Sequence, residues 1–193
     1  MMFNYVDIHT HNPRVDVASP HMAGIHPWDA ASEVMLPDFS TCDIIGETGL
    51  DYACGVDRAK QMALFEAHLR AAEELGKPIV LHVVRSFEDV MHTLRNHPML
   101  RGVLFHGFIG SAEQAARCLE RGYYLSFGAR SLRSPRTCKV IATTPADRLF
   151  METDDSPTPT IEELHATIAE LRKEDIVELG KQIEKNYEKL IIR

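Results

Sequence analysis

The amino-acid sequence predicts an α/β protein built on a parallel sheet. Three observations lead there: short apolar runs recur along the chain, amphipathic segments separate them, and histidines and carboxylates gather at the ends of the runs. Repeated βα units of this kind give parallel strands with right-handed crossovers, arranged as a closed barrel or as an open doubly wound sheet. The 193 residues suffice for one substantial core, and a single domain over residues 1–193 is expected.

The candidate strands are NYVDIHT (4–10), MAGIHP (22–27), CDIIGETG (42–49), PIVLHVV (78–84), GVLFHGF (102–108), YYLSFGA (123–129) and RLFMETD (148–154). Several are continuous apolar runs, as strands buried on both faces require. From Asp57 to Leu75, apolar residues Met62, Phe65, Leu69, Ala72 and Leu75 recur at helical spacing, and Gly76 and Pro78 supply the stop. Ser86 opens the next helix. Ser111 with Gln114, and Thr160 with Glu163, have the spacing of capping boxes. Residues 175–191 form an amphipathic C-terminal helix carrying Ile176, Leu179, Ile183, Tyr187 and Leu190. No glycine-rich phosphate loop follows the first run, which argues against dinucleotide binding.

Composition excludes several classes. No apolar run reaches the length of a membrane span, and the N-terminal residues lack the pattern of a signal peptide. The four cysteines, Cys42, Cys54, Cys118 and Cys138, are scattered and read as reduced thiols, so a cytoplasmic location is expected. A net charge of −7 argues against broad binding to a nucleic-acid backbone, except where a metal site carries its own positive charge.

The polar residues at the run ends are His9 and His11, His26, Glu47, His82, His106, Glu152 and Asp154. In a parallel barrel all strand C-termini face one end, so these residues would converge there. His9 and His11 share a strand face and can bind one divalent ion. Glu47 is the natural carboxylate to bridge two ions, His82 and His106 would serve the second, and Asp154 can join the first and accept a proton from water. Burying so many ionisable groups without countercharge would cost several kcal/mol each, a cost that metal removes. Nitrogen and oxygen ligands without thiolate fit two divalent ions of Zn, Mn, Fe, Co or Ni better than Mg.

The motifs DIHTH (7–11), GIHPW (24–28), IGETGLDY (45–52), PIVLH (78–82), HGFIGS (106–111), LSFGA (125–129) and ETDDSP (152–157) resemble, in order, those of TatD-type metal-dependent hydrolases of the amidohydrolase superfamily. The resemblance implies a TIM-barrel-like (β/α) barrel. It also implies a dinuclear site on the same ligands, His9, His11, Glu47, His82, His106 and Asp154, and phosphodiester hydrolysis of the deoxyribonuclease type. The substrate expected is a phosphodiester such as a DNA end or short oligonucleotide, with no membrane and no obligate protein partner. Glu47 and Asp154 are the expected catalytic residues.

The sequence departs from the family pattern in two places. Only residues 12–25, 14 in all, separate His11 from His26, so one βα unit is missing near the N-terminus and seven strands are expected. After His82, the arginine that the family places two positions on is here Arg85, with Val84 in its place. A one-residue shift reverses direction on a strand, so Arg85 reaches substrate only if the strand has ended.

His26 is expected to contact a substrate oxygen. Arg130, Arg133, Arg136 and Lys139 form the one dense basic segment, read as a solvated loop with phosphate contact as the alternative. Trp28 is expected in the core by default, with packing at the cleft edge as the alternative; His68, His92, His97 and His165 are expected to serve surface or packing roles, and Asp7 to bond the ligand layer or nearby backbone. The competing readings are a PHP-type phosphoesterase, another amidohydrolase activity, and a non-catalytic metal-binding protein.

Overall fold

Six of the seven expected runs form strands in the computed structural model, which describes residues 4–30 and 35–192. These residues fall into two compact units. One is continuous, His21–Phe105, and the other joins Met1–Pro20 to His106–Arg193.

In the continuous unit the strands are β1 (Met22–Ala23), β2 (Ile44–Asp51), β3 (Ile79–Val84) and β4 (Val103–Phe105), paired in that order and all parallel. Ile44, Ile45, Leu50, Ile79, Val80 and Leu81 are fully buried, as the unbroken apolar runs require. Helix α1 (Arg58–Leu75) starts where the Asp57 carboxylate accepts from the Lys60 N–H and ends on left-handed Gly76. It buries Phe65, Leu69 and Ala72 along one stripe, while Leu75 is half-exposed. Gln61 on the same helix is fully buried and clamps the end of β2: its side chain accepts from the Asp51 N–H at 2.7 Å and donates to the Asp51 carbonyl at 2.9 Å. Helix α2 (Phe87–Thr93) follows β3, and Ser86 before it donates its hydroxyl to the Leu50 carbonyl at 2.6 Å.

The expected strand 22–27 is cut to two residues because His26 and Pro27 begin a 3₁₀ turn, Pro27–Asp29. His68 anchors the segment before it: its Nε2 accepts from the Ile25 N–H at 3.1 Å while Nδ1–H donates to the Leu64 carbonyl at 2.8 Å. His97 is a packing residue too, set between Glu73 at 2.8 Å and Glu66 at 3.2 Å.

The second unit holds α3 (Ala112–Leu119), β5 (Tyr124–Phe127), α4 (Ala129–Leu132), α5 (Pro135–Thr143), β6 (Leu149–Met151), α6 (Ile161–Arg172) and α7 (Ile176–Tyr187). β5 and β6 pair in parallel. The run 4–10 lies on the far side of β6 but forms only isolated bridges, Val6 with Ala18 and Thr10 with Asp154. Its amides bond on both sides, Asp7 to Ala18 and Ile8 to Met151, and each side carries a single bridge. Both expected capping boxes, Ser111 with Gln114 and Thr160 with Glu163, are present. The Arg172 guanidinium closes the end of α5 by donating to the Ile141 and Thr144 carbonyls at 2.6 and 2.7 Å.

The basic segment is a correction: it is not a loop, for Arg130 lies on α4, Arg136 and Lys139 on α5, and Arg133 in the short turn between them. Ser134 caps α5 by accepting from the Thr137 N–H, and Pro135 supplies the pre-set first position. Arg130 pairs with Asp155 at 3.3 Å on the surface.

At Gly49 (φ +141°) an added Cβ would lie 2.2 Å from the His82 carbonyl oxygen, so Gly49→Ala should lower unfolding free energy by roughly 3 kcal/mol, read by denaturant titration. His165 on α6 is fully buried, and burial pushes its pKa down to about 4, against the opposing pull of the Val6 carbonyl. The unfolded chain therefore gains this proton first, and stability is lost as pH falls from about 6.5 towards 4. In His165→Gln the fall in stability between pH 7 and 5 should be smaller by about 2 kcal/mol.

Candidate metal centre

The chain leaves β6 at Met151 and turns through Glu152, Thr153 and Asp154, the last with left-handed backbone at φ +55°. Two hydrogen bonds hold that conformation: the Asp154 N–H donates to the His9 carbonyl at 3.0 Å, and the His11 N–H donates to the Asp154 carbonyl at 2.9 Å. Residues 9, 11 and 154 are thereby locked together through the backbone. Their side chains meet: Nε2 of His9 is 3.6 Å and Nε2 of His11 is 3.7 Å from the same oxygen, Oδ1 of Asp154.

Those separations exceed a good hydrogen bond. They suit a shared cation, because ligands held about 2.0–2.1 Å from one ion at tetrahedral angles stand about 3.4 Å apart. His9, His11 and Asp154 form a set able to hold a metal ion, and so do His106, Glu152 and Asp154. The His106 and His9 rings lie 4.3 Å apart, centroid to centroid. His106 Nδ1 is 3.4 Å from Glu152, and Ser126 donates its hydroxyl to the other oxygen of that carboxylate. Glu152 is almost fully buried. Burial works to raise its pKa, but His106, His9 and Ser126 outweigh it and hold the group below the ordinary value.

Asp7 takes the supporting role expected of it. Its carboxylate accepts from the Thr153 N–H at 3.0 Å and from the Thr153 hydroxyl at 2.6 Å, fixing the residue between Glu152 and Asp154. The Thr153 hydroxyl is 2.9 Å from that of Thr10, and since it donates to Asp7 it accepts here. Burial pushes Asp7 up to about 6, with Thr153 pulling the other way.

In the continuous unit His26, Glu47 and His82 form a third set able to hold a metal ion. The His82 ring stands between two carboxylates, Nδ1 3.3 Å from Glu47 and Nε2 3.4 Å from Asp51. A carboxylate on the second nitrogen fixes the ring and its tautomer, as supporting groups around metal ligands do. Sequence reasoning missed Asp51 in this role, although it ends the GETGLD motif. Burial would raise the Asp51 carboxyl, but bonds from Trp28, Ala53 and His82 hold it below its usual range.

His26 caps the 3₁₀ turn by accepting the Trp28 N–H on Nδ1 at 3.2 Å, which puts its own proton on Nε2 as a donor. Its ring meets that of His82 at 4.4 Å. Trp28 is a correction. It is not in the core but 58% exposed, with its indole N–H donating to Asp51 at 2.6 Å. Arg85 meets the condition set for it: β3 ends at Val84, and Arg85 sits exposed just beyond, with φ +54°.

Among the described residues no helix is long and apolar enough to cross a membrane. The family model for TatD-related DNases matches residues 18–191. The chain is 33% identical over 163 residues to an uncharacterised metal-dependent hydrolase of Buchnera aphidicola, covering 72% of this chain and 61% of that one. It is 32% identical over 146 residues to the uncharacterised metal-dependent hydrolase YabD of Bacillus subtilis, covering 72% and 53%. The chain thus spans 53–61% of the length of these curated relatives. Among solved structures, the TatD homologue YjjV of Escherichia coli superposes with a TM-score of 0.83 at 22% identity, covering all of both chains. A TatD-family hydrolase of Entamoeba histolytica superposes with a TM-score of 0.79 at 16% identity, covering 91% of this chain and 75% of that one. The likeness establishes the TIM-barrel-like (β/α) fold, and with the matched family model it follows that the chain belongs to the TatD-related DNase family.

Proposed function

We propose that the protein is a metal-dependent hydrolase that cleaves phosphodiesters, with DNA ends or short oligonucleotides as substrates. One observation carries the reading: two imidazole nitrogens face a single Asp154 oxygen at 3.6 and 3.7 Å, a spacing that suits a cation. Two divalent ions are proposed, of Zn, Mn, Fe, Co or Ni, since imidazole and carboxylate make up the donor set. His9, His11 and Asp154 would hold one, and Glu47 and His82 are ligands for the other. The names of the curated relatives, metal-dependent hydrolases, support the reaction class.

Bound there, divalent ions supply Lewis acidity, lowering the pKa of water and offsetting phosphoryl charge. The protein's own groups do the rest. Asp154, partly exposed and fixed in orientation by its backbone bonds, accepts the proton of the attacking water. His26 presents Nε2–H as a donor to a phosphoryl oxygen, and Arg85, just past its strand, offers positive charge to the phosphate. Asp7 and Asp51 hold Thr153 and His82 in place and so keep the ligands oriented.

The test is hydrolysis of bis(p-nitrophenyl) phosphate by protein of known metal content. Wild-type protein should hydrolyse it, lose activity to a chelator and regain it with Zn²⁺ or Mn²⁺. Asp154→Asn should lower kcat roughly 100-fold or more while metal content falls much less. Near-stoichiometric metal without hydrolysis would instead favour a metal-binding protein.

A further inference from the structure

We propose that Trp28 is a stacking platform for the base next to the scissile phosphodiester, so that the substrate is recognised through an aromatic ring as well as through its phosphate. This inference rests on the hydrolase reading above. An exposed aromatic residue alone would be ordinary. Trp28 differs because it is 58% exposed and yet held in place. Its indole N–H donates to Asp51 at 2.6 Å. Asp51 is 4% exposed and is itself steadied by the Ala53 N–H at 2.8 Å. The His26 ring stands edge-on to the indole, 86° between planes and 4.6 Å between centroids. A partner therefore meets a ring whose orientation is already set, and little conformational entropy is lost on contact.

The chemistry narrows what that partner is. With its one N–H engaged by Asp51, the indole recognises by its π-face and not by hydrogen bonding. It stands beside His26, the proposed donor to the phosphate, and 6.3 Å from His82, a proposed metal ligand. A nucleobase joined through its sugar to a phosphate matches this pairing, and stacking accepts any base because every base has a π-face. The chain's net charge of −7 leaves little backbone electrostatics to supply affinity, so stacking is a fitting source.

Trp28 is the one tryptophan, so its fluorescence reports the contact directly. The experiment titrates the protein, in zinc-containing buffer, with thymidine 5′-monophosphate and separately with 2-deoxyribose 5-phosphate. The nucleotide should quench Trp28 emission saturably. Calorimetry should show the sugar phosphate binding roughly tenfold or more weakly. Trp28→Ala should bind the nucleotide only as weakly as wild type binds the sugar phosphate, and Trp28→Phe, which keeps a ring, should retain most of the affinity. Equal affinities for the two ligands, or undiminished nucleotide binding by Trp28→Ala, would overturn the inference. Binding of neither ligand by a protein that still hydrolyses bis(p-nitrophenyl) phosphate would overturn the stacking role alone. Binding of neither together with no hydrolysis would overturn the hydrolase reading as well.

Discussion

Imidazoles and carboxylates placed together in a largely dry interior need countercharge, and that constraint shapes the structure around its strand ends. His9 and Glu152 are almost fully buried, and Asp7 and Asp51 are 5% and 4% exposed. Isolated charges in such places would cost several kcal/mol each. The protein meets the cost by gathering groups of opposite character. Imidazoles face carboxylates at 3.3–3.7 Å, longer than close ion pairs, and Glu152 and Asp51 take further bonds from the Ser126 hydroxyl and the Ala53 N–H. The arrangement has the form of ligand sets able to hold a cation.

Precision comes from the backbone and from a ring of supporting bonds. Asp154 owes its direction to a left-handed turn that two backbone bonds to residues 9 and 11 stabilise. Thr153 is held by Asp7 and the end of β2 by Gln61, while His82 faces a carboxylate on each nitrogen. Such bonds explain why a residue like Asp7, which belongs to none of the ligand sets described above, is nonetheless buried beside them. They are the means by which a site built from distant sequence segments keeps its geometry.

Much of this was legible in the sequence because it depends on period and position. Unbroken apolar runs identified the buried strands, capping residues such as Ser111 and Thr160 marked helix starts, and the HxH spacing put His9 and His11 on one face. What escaped depends on contacts between segments. Asp51 and Gln61 are ten residues apart and look like ordinary polar positions until α1 folds onto β2. Trp28 read as core by default, with the cleft edge as the alternative, because large aromatics are usually buried, and its bond to Asp51 joins segments 23 residues apart. The basic segment read as a loop because its charge masked the cap at Ser134 and the proline after it. The first run read as a strand, yet it forms only single bridges with Ala18 and Asp154, and how far a run pairs with its neighbours is not recorded in its periodicity.

The strand-end histidines and carboxylates are proposed to hold metal. Calorimetric titration of chelator-stripped protein with Zn²⁺ tests it most directly, with wild type compared to a His9→Gln, His11→Gln double variant. Saturable binding by the wild type, with affinity weakened at least 100-fold for the ion that the double variant disrupts, is the result predicted, given that both changes remove ligands from one ion. Absence of Zn²⁺ binding by the wild type, or an unchanged isotherm in the double variant, would contradict it.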